Sequence, residues 1–228
     1  MKNTVEVIKK VSSKPERAIL FHSANGKDSI ALLDLMRPYF NEILCVYMYT
    51  VPELEHINKY IRYAEQKYNV KFVQVPHFVL YSYIKCGYMG IKKNEKTKYQ
   101  NLANITDSIR LKYGIDWAFF GFKQSDSLNR RLMLRTYEDN AINYETKKCY
   151  PLSEWKNKDV LKYIETKQLI NPIHYGGTSQ SSGAAINDIN FLLYIKKHYP
   201  NDYKKVISYF PLSELTVYKY EQQQRKTA

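Results

Sequence analysis

The segment His22-Ser23-Ala24-Asn25-Gly26-Lys27-Asp28-Ser29 holds a glycine, a lysine, a carboxylate and two hydroxyls in close succession. It follows a short apolar run and precedes a helical pattern. A tight turn in that position aims the free N–H groups of a helix's first turn outward, and such groups bind anions. Gly26 admits a close backbone approach by a phosphate. Lys27 adds positive charge, and the Ser29 hydroxyl can donate a hydrogen bond. Ser23 and Asn25 complete the loop. The Walker A pattern G-x-x-x-x-G-K-S/T is absent. Asp28 fits two roles, a helix cap and a ligand to Mg²⁺ bridged to phosphates. His22 flanks the loop and either touches phosphate or simply packs.

A second group of charges follows at Lys123, Arg130 and Arg131. Guanidinium forks match phosphate and sulfate oxyanions. One of the two arginines is expected to make such a contact, with Arg130 the better placed. Lys123 directly leaves a strand end and carries the same expectation. His174 is either a general acid or base or a loop histidine without a role. Trp155 reads as a core residue.

The cysteines, Cys45, Cys86 and Cys149, form no CxxC pair and no metal-ligand spacing. Three thiols fall short of the four that an iron–sulfur cluster normally takes, so none is expected. The formal net charge is +13, carried by 27 Lys and 8 Arg against 22 acidic residues. That excess favours polyanionic partners, nucleotides or nucleic acid, although no nucleic-acid-binding motif is visible. No stretch of about 18 apolar residues is present, so no membrane partner is expected. The N-terminus lacks the uninterrupted apolar core of a secretory signal, which points to a cytoplasmic protein. Oligomeric state is open, a homodimer included.

These residues need elements to hold them. Arg17 to Ser23, Glu42 to Thr50, Lys71 to Pro76 and Asp116 to Phe122 read as strands. Ser29 to Arg37, Pro52 to Tyr68, Phe78 to Lys85 and Tyr99 to Tyr113 read as helices, the last ended by Gly114. Residues 1–15 suggest a short helix or arm ending at Pro15. Alternation of this kind predicts an α/β fold, a Rossmann-like open parallel sheet of about five strands with helices on both faces. The Ser23–Ser29 loop then sits at the carboxyl edge, where such sheets bind ligands. The lysine-rich stretch Gly87–Lys98 reads as a solvated loop. Helices are expected at Asp159–Thr166 and Ala184–His198, a polar stretch at Gly176–Gly183, and a polar, fraying tail from Tyr218. The expected organisation is an α/β domain over residues 1–177 and a small helical C-terminal extension over 178–228.

The loop resembles the pyrophosphate-binding S-G-G-x-D-S loop of the adenine nucleotide α-hydrolase superfamily. Gly26, Asp28 and Ser29 agree with it; Ala24 stands where that family has Ser, and Asn25 where it has the first Gly. Gly121 to Arg130 resembles the Gly-x-Arg-x-x-x-Ser-x-x-Arg stretch of the phosphoadenosine phosphosulfate reductase and ATP sulfurylase branch, with Lys123 replacing Arg. Tyr150-Pro151-Leu152-Ser153-Glu154-Trp155 with Asp159-Val160 and Tyr163-Ile164 is similar to the branch's P-[LI]-x-x-W-x-x-x-D-V-x-x-Y-I segment. Asn171-Pro172-Ile173-His174-Tyr175 is similar to its N-P-L-Y segment. The resemblance implies binding of ATP or an adenylyl sulfate, including phosphoadenylyl sulfate, with Mg²⁺. It implies phosphates over Ser23, Asn25, Gly26, Lys27, Asp28 and Ser29, near Lys123 and Arg130, with Lys27, Asp28 and Arg130 acting in catalysis. The implied chemistry is adenylyl or sulfur transfer. The branch's nucleophilic Cys of a C-terminal E-C-G-[LI]-H tail is missing, since Glu221 to Ala228 reads EQQQRKTA. The alternative is a nucleotide-binding or nucleic-acid-associated module without turnover.

Overall fold

The structure, a computed structural model, describes residues 2–13, 16–176 and 186–227. Pro15, most of the polar stretch Gly176–Gly183 and the first residues of the helix read from Ala184 lie outside the described residues. In chain order the elements are α1 (Lys2–Ser12), β1 (Arg17–Phe21), α2 (Lys27–Met36), β2 (Glu42–Tyr49), α3 (Glu55–Tyr68), β3 (Lys71–Pro76), α4 (Phe78–Cys86), α5 (Leu102–Tyr113), β4 (Ala118–Phe120), α6 (Leu128–Arg135), β5 (Ile142–Asn143), β6 (Lys148–Cys149), α7 (Asn157–Thr166), α8 (Ile189–His198), α9 (Pro200–Tyr209) and α10 (Leu212–Thr227). They form two compact units. The first comprises Met1–Met48, Tyr60–Val75 and Thr106–Pro172; the second comprises Tyr49–Lys59, Pro76–Ile105 and Ile173–Ala228.

The first unit is built on a six-stranded sheet of order β3-β2-β1-β4-β6-β5. β1 pairs in parallel with β2 and β4, and β4 in parallel with β6. β5 runs antiparallel to β6 at the edge. The expected mostly parallel, Rossmann-like sheet is therefore present. The edge pair β5–β6 is an addition, because strands of two residues carry no readable period. Central strands covered on both faces must be apolar throughout. Accordingly only Arg17 of β1 is exposed, and all of β4 is buried.

Helix α2 obeys the same constraint. Ile30, Ala31, Leu32, Leu33, Leu35 and Met36 are all buried. Its one mid-helix carboxylate, Asp34, accepts hydrogen bonds from the hydroxyls of Tyr68 at 2.9 Å and Tyr163 at 2.6 Å. Those bonds fasten α2 to α3 and α7. Because β1 and β4 are parallel neighbours, their carboxyl ends emerge side by side. The β1–α2 loop and the β4–α6 turn are thereby brought together at one sheet edge.

In the second unit α8, α9 and α10 pack on one another. The tail expected to fray from Tyr218 is instead helical to Thr227, since Glu, Gln, Arg and Lys favour helix and Lys196 pairs with Glu221 at 2.7 Å. Asp202 of α9 is 1% exposed and accepts from the backbone N–H of Glu55 at 2.8 Å and of His56 at 2.9 Å. It thus satisfies orphan donors at the start of α3 and opposes that helix's positive end. The His56 Nδ1 lies 2.7 Å from the same carboxylate.

Burial holds His56 below the ordinary histidine range, although Asp202 pulls it upward. Burial also works against the Asp202 carboxylate, but the N–H groups of His56 and Glu55 and the His56 ring outweigh it and hold it below the ordinary range. Both groups therefore bind protons more weakly folded than unfolded. Their contribution to stability is present at neutral pH. It is lost first as pH falls below about 6.5, and further below about 4. The melting temperature, followed by circular dichroism, should fall between pH 7 and pH 5. Asp202→Ala should cost about 3 kcal/mol at pH 7, because it strands two buried N–H groups and the His56 ring. An Asp202→Ala melt that matches the wild type would contradict this.

Candidate functional site

The site lies wholly within the first unit. Its loop leaves β1 at Phe21 and enters α2 at Lys27. Gly26 is the N-cap of α2, in extended conformation, and offers no side-chain cap. The expectation that Asp28 caps this helix is corrected: Asp28 sits within the first turn, and its carboxylate points elsewhere. The amides of Lys27, Asp28 and Ser29 open the helix, since its first backbone bond runs from Ile30 N–H to Gly26 O at 3.1 Å.

Internal bonds shape the loop. Ser29 Oγ accepts the Ser23 N–H at 3.0 Å and lies 2.9 Å from Ser23 Oγ. His22 is 2% exposed, and its Nδ1 accepts the Ala24 N–H at 3.0 Å. Burial pushes its pKa down to about 3, so the ring is neutral and braces the loop. The packing that was one of its two readings is present. Ala24 adopts φ 56°, a left-handed conformation that disfavours side chains. Gly26, at φ −81°, needs no such freedom. Its requirement is space: a Cβ there would lie 2.1 Å from Ser23 Oγ.

Across the sheet edge, β4 delivers Gly121, Phe122 and Lys123. Lys123 is fully buried. Its ammonium lies 2.7 Å from Asp28 Oδ1 and 2.9 Å from Asp126 Oδ1. Neither contact is an aligned hydrogen bond, so the attraction is between charges at contact distance. Gly121 makes room for it, since a Cβ there would lie 3.0 Å from the Asp28 Cβ. Lys27, whose side chain is 9% exposed, places its ammonium 3.4 Å from Asp28 Oδ2. It is not the solvated lysine of an ordinary turn.

Asp126 extends the chain of charges. Its Oδ2 accepts from Arg130 Nη1 at 2.7 Å and from the Lys123 N–H at 2.9 Å. Burial works against this carboxylate, but Lys123 and Arg130 outweigh it and hold it below its ordinary range. The Arg130 guanidinium lies 4.0 Å over the Phe122 ring. Ser127 is the N-cap of α6 and accepts the Arg130 N–H at 3.2 Å. The Ser-x-x-Arg spacing is thus the spacing from a cap to its N3 residue.

The structure brings together Lys27, Asp28, Lys123 and Arg130, and keeps Ser23, Asn25, Gly26 and Ser29 contiguous beside them. Three cations face two carboxylates. Asp126 was missed as a site residue, although its spacing to Arg130, four residues, is that of a helical ion pair. Arg131 is turned away: its Nε donates to Gln124 O at 3.4 Å. Trp155 is buried and donates to Thr4 Oγ1 at 2.6 Å, as a core residue should. His174 is exposed and lies in the second unit. Cys45 and Cys149 are buried, and burial raises both thiols far above their ordinary range. Cys86 is exposed at the end of α4. No group of three or more His, Cys, Asp or Glu side chains suited to a metal occurs among the described residues. Among them, no helix is long and apolar enough to cross a membrane.

An open, mostly parallel sheet with an uncapped helix start and a buried charge cluster at its carboxyl edge defines a nucleotide-binding α/β protein. The family model of the phosphoadenosine phosphosulfate reductase domain matches residues 18–180. The chain belongs to that family, and is an adenine-nucleotide-binding protein of the superfamily that contains it. Among solved structures it is similar to the NH3-dependent NAD synthetase from Campylobacter jejuni subsp. jejuni NCTC 11168 in complex with the nitrate ion. The two are 12% identical, with 94% of this chain and 95% of that chain covered and a TM-score of 0.50. At that identity the likeness is one of fold. A search of curated protein sequences finds no match.

Two substitutions test this geometry. Gly26→Ala should cost about 2 kcal/mol by forcing the Ser23 hydroxyl aside, and Ser23→Ala in the same chain should restore most of it. Lys123→Met should cost about 3–5 kcal/mol, because it leaves two carboxylates without their shared cation. Urea denaturation measures both. A Lys123→Met protein as stable as the wild type would show that the ammonium does not hold the two segments together.

Proposed function

We propose that this protein binds ATP or an adenylyl sulfate with its phosphates over Asn25–Ser29 and beside Arg130, and that it catalyses adenylyl or sulfur transfer. The observation that carries the reading is the Lys123 bridge. It fixes the open first turn of α2 against the turn that bears Arg130. That arrangement supports a site in which the amides of Lys27, Asp28 and Ser29, with the Lys27 ammonium and the partly exposed Arg130 guanidinium, receive polyphosphate oxygens.

With ATP, an acceptor nucleophile forms a bond to the α-phosphorus. The bond from that phosphorus to the α–β bridging oxygen breaks, and pyrophosphate leaves with the electron pair. Lys27, Arg130 and the helix amides bear the charge that develops on the leaving group. Asp28 Oδ2 fits Mg²⁺, which is commonly held by one or two carboxylates plus substrate phosphates. Its Oδ1 is engaged by Lys123, while its contact with Lys27 is longer, at 3.4 Å. Bound there, the ion would offset charge at the phosphates.

Two observations favour the second reading, a binding module without turnover. Asp28 is already neutralised by a buried ammonium, and Ala24 and Asn25 replace two residues of the family's loop. Pyrophosphate release from ATP in the presence of candidate acceptors separates the two readings.

Calorimetry with ATP, adenylyl sulfate and phosphoadenylyl sulfate, with and without Mg²⁺, tests the site itself. At least one should bind, and Arg130→Ala should weaken it about tenfold or more, the loss of one charge-assisted contact. Binding of none of the three would defeat the proposal. Thiol-dependent reduction is not expected. That route needs an exposed, activated thiolate, and Cys45 and Cys149 are buried. Phosphoadenylyl sulfate with thioredoxin and a reductant should therefore yield no sulfite. Sulfite that disappears in Cys86→Ser would restore a reductase.

A further inference from the structure

A separate cleft of about 410 Å³ opens on the other side of the turn that carries Lys123 and Asp126. Gln124, Ser125, Arg131, Arg135, Asn140, Glu154, Trp155 and Lys156 line it. Its walls come from the segment after β4 and the segment after β6, so it lies at the same carboxyl edge of the sheet as the nucleotide loop. β4 and β6 are neighbours, and β1 is the next strand.

Two arginines dominate this cleft. Arg131 and Arg135 are four residues apart on α6 and so share a face of the helix. Each is anchored through its Nε to one residue: Arg131 to Gln124 O at 3.4 Å, and Arg135 to Gln124 Oε1 at 3.3 Å. Gln124 is itself held, its N–H donating to Ser153 O at 2.8 Å and its Nε2 to Ser153 Oγ at 3.3 Å. The anchoring uses Nε and leaves the paired Nη groups of both guanidiniums for a ligand. Lys156 adds a third cation to the lining.

The positive charges here are only partly compensated. Among the described residues neither arginine pairs with a carboxylate. The one carboxylate in the lining, Glu154, is occupied by two neutral amides, Asn3 Nδ2 at 2.8 Å and Asn140 Nδ2 at 3.2 Å. Like charges four apart on a helix repel. An anion between them removes the repulsion, and planar guanidinium forks match the spacing of phosphate and sulfate oxygens.

We propose that this cleft is a second oxyanion site, which binds a phosphate or sulfate group of another ligand while the nucleotide occupies its own loop. Its partner is the acceptor rather than the nucleotide, because Arg130, Lys123 and Asp126 already serve the nucleotide side of the turn. That assignment to an acceptor rests on the transfer reading above; the oxyanion site itself does not.

The test is calorimetric titration of the full chain with inorganic phosphate and, separately, with sulfate, alone and after saturation with ATP. The expected result is binding that persists beside ATP and weakens by about tenfold or more in Arg131→Gln/Arg135→Gln. The double Arg→Lys variant should be intermediate, since lysine keeps the charge and loses the fork. Without phosphate, the Gln variant should melt close to the wild type, because it loses two long hydrogen bonds to Gln124 and relieves a repulsion. Its affinity for ATP should be unchanged. Absence of phosphate and sulfate binding overturns the proposal, and so does displacement of phosphate by ATP, which would make the cleft part of the nucleotide site. Should ATP fail to bind while phosphate binds through the two arginines, the oxyanion site stands and the transfer reading falls.

Discussion

One buried ammonium organises the functional edge of this protein. Lys123 leaves β4 with no exposure to solvent and sits between Asp28 of α2 and Asp126 of the following turn. A charge so placed is costly unless it is matched. Two carboxylates match it, and in doing so they hold together two segments almost a hundred residues apart in sequence. Asp126 passes the constraint on to Arg130, and Asp28 passes it on to the first turn of α2. The orientation of every charged group at the site follows from that arrangement.

The cluster is polar but not strongly cationic. Its three cations are largely cancelled by two carboxylates. On the proposed reading, affinity for a polyphosphate falls mainly to the amides at the start of α2, with the partly open Arg130 adding charge. Those amides are available because Gly26 is a cap without a side chain. The hydroxyls of Ser23 and Ser29, which could have served as donors to a ligand, close the loop on itself. His22, neutral and buried, does the same work from beneath.

Much of the fold was legible. β1, β2, β3 and α2 to α5 were read close to their bounds, since each is long enough for its apolar pattern to declare itself. What escaped was short or unpatterned. β5 and β6 have two residues each, and α10 has no clear apolar stripe despite good helix formers. At the site, Ser23 to Ser29, Lys123 and Arg130 could be singled out by residue type and by resemblance. Asp126 stood in the quoted motif without a role, because its partner Lys123 becomes a neighbour only when the chain turns after β4. The cap assigned to Asp28 followed from its residue type alone; the helix begins two residues earlier than that type suggested.

The sequence by itself determined the α/β alternation, the anion-ready loop and the family. These are properties of residue type and near-neighbour spacing. Tertiary structure decided which charges meet. It made Lys27 and Lys123, expected as phosphate-binding cations, buried partners of Asp28. It also sent Arg130 and Arg131, adjacent in the chain, to opposite sides of one turn. Consecutive residues on a helix point about 100° apart, so adjacency in sequence says little about shared surroundings. Burial and ion pairing depend on long-range packing, which here is the parallel registration of β1 with β4.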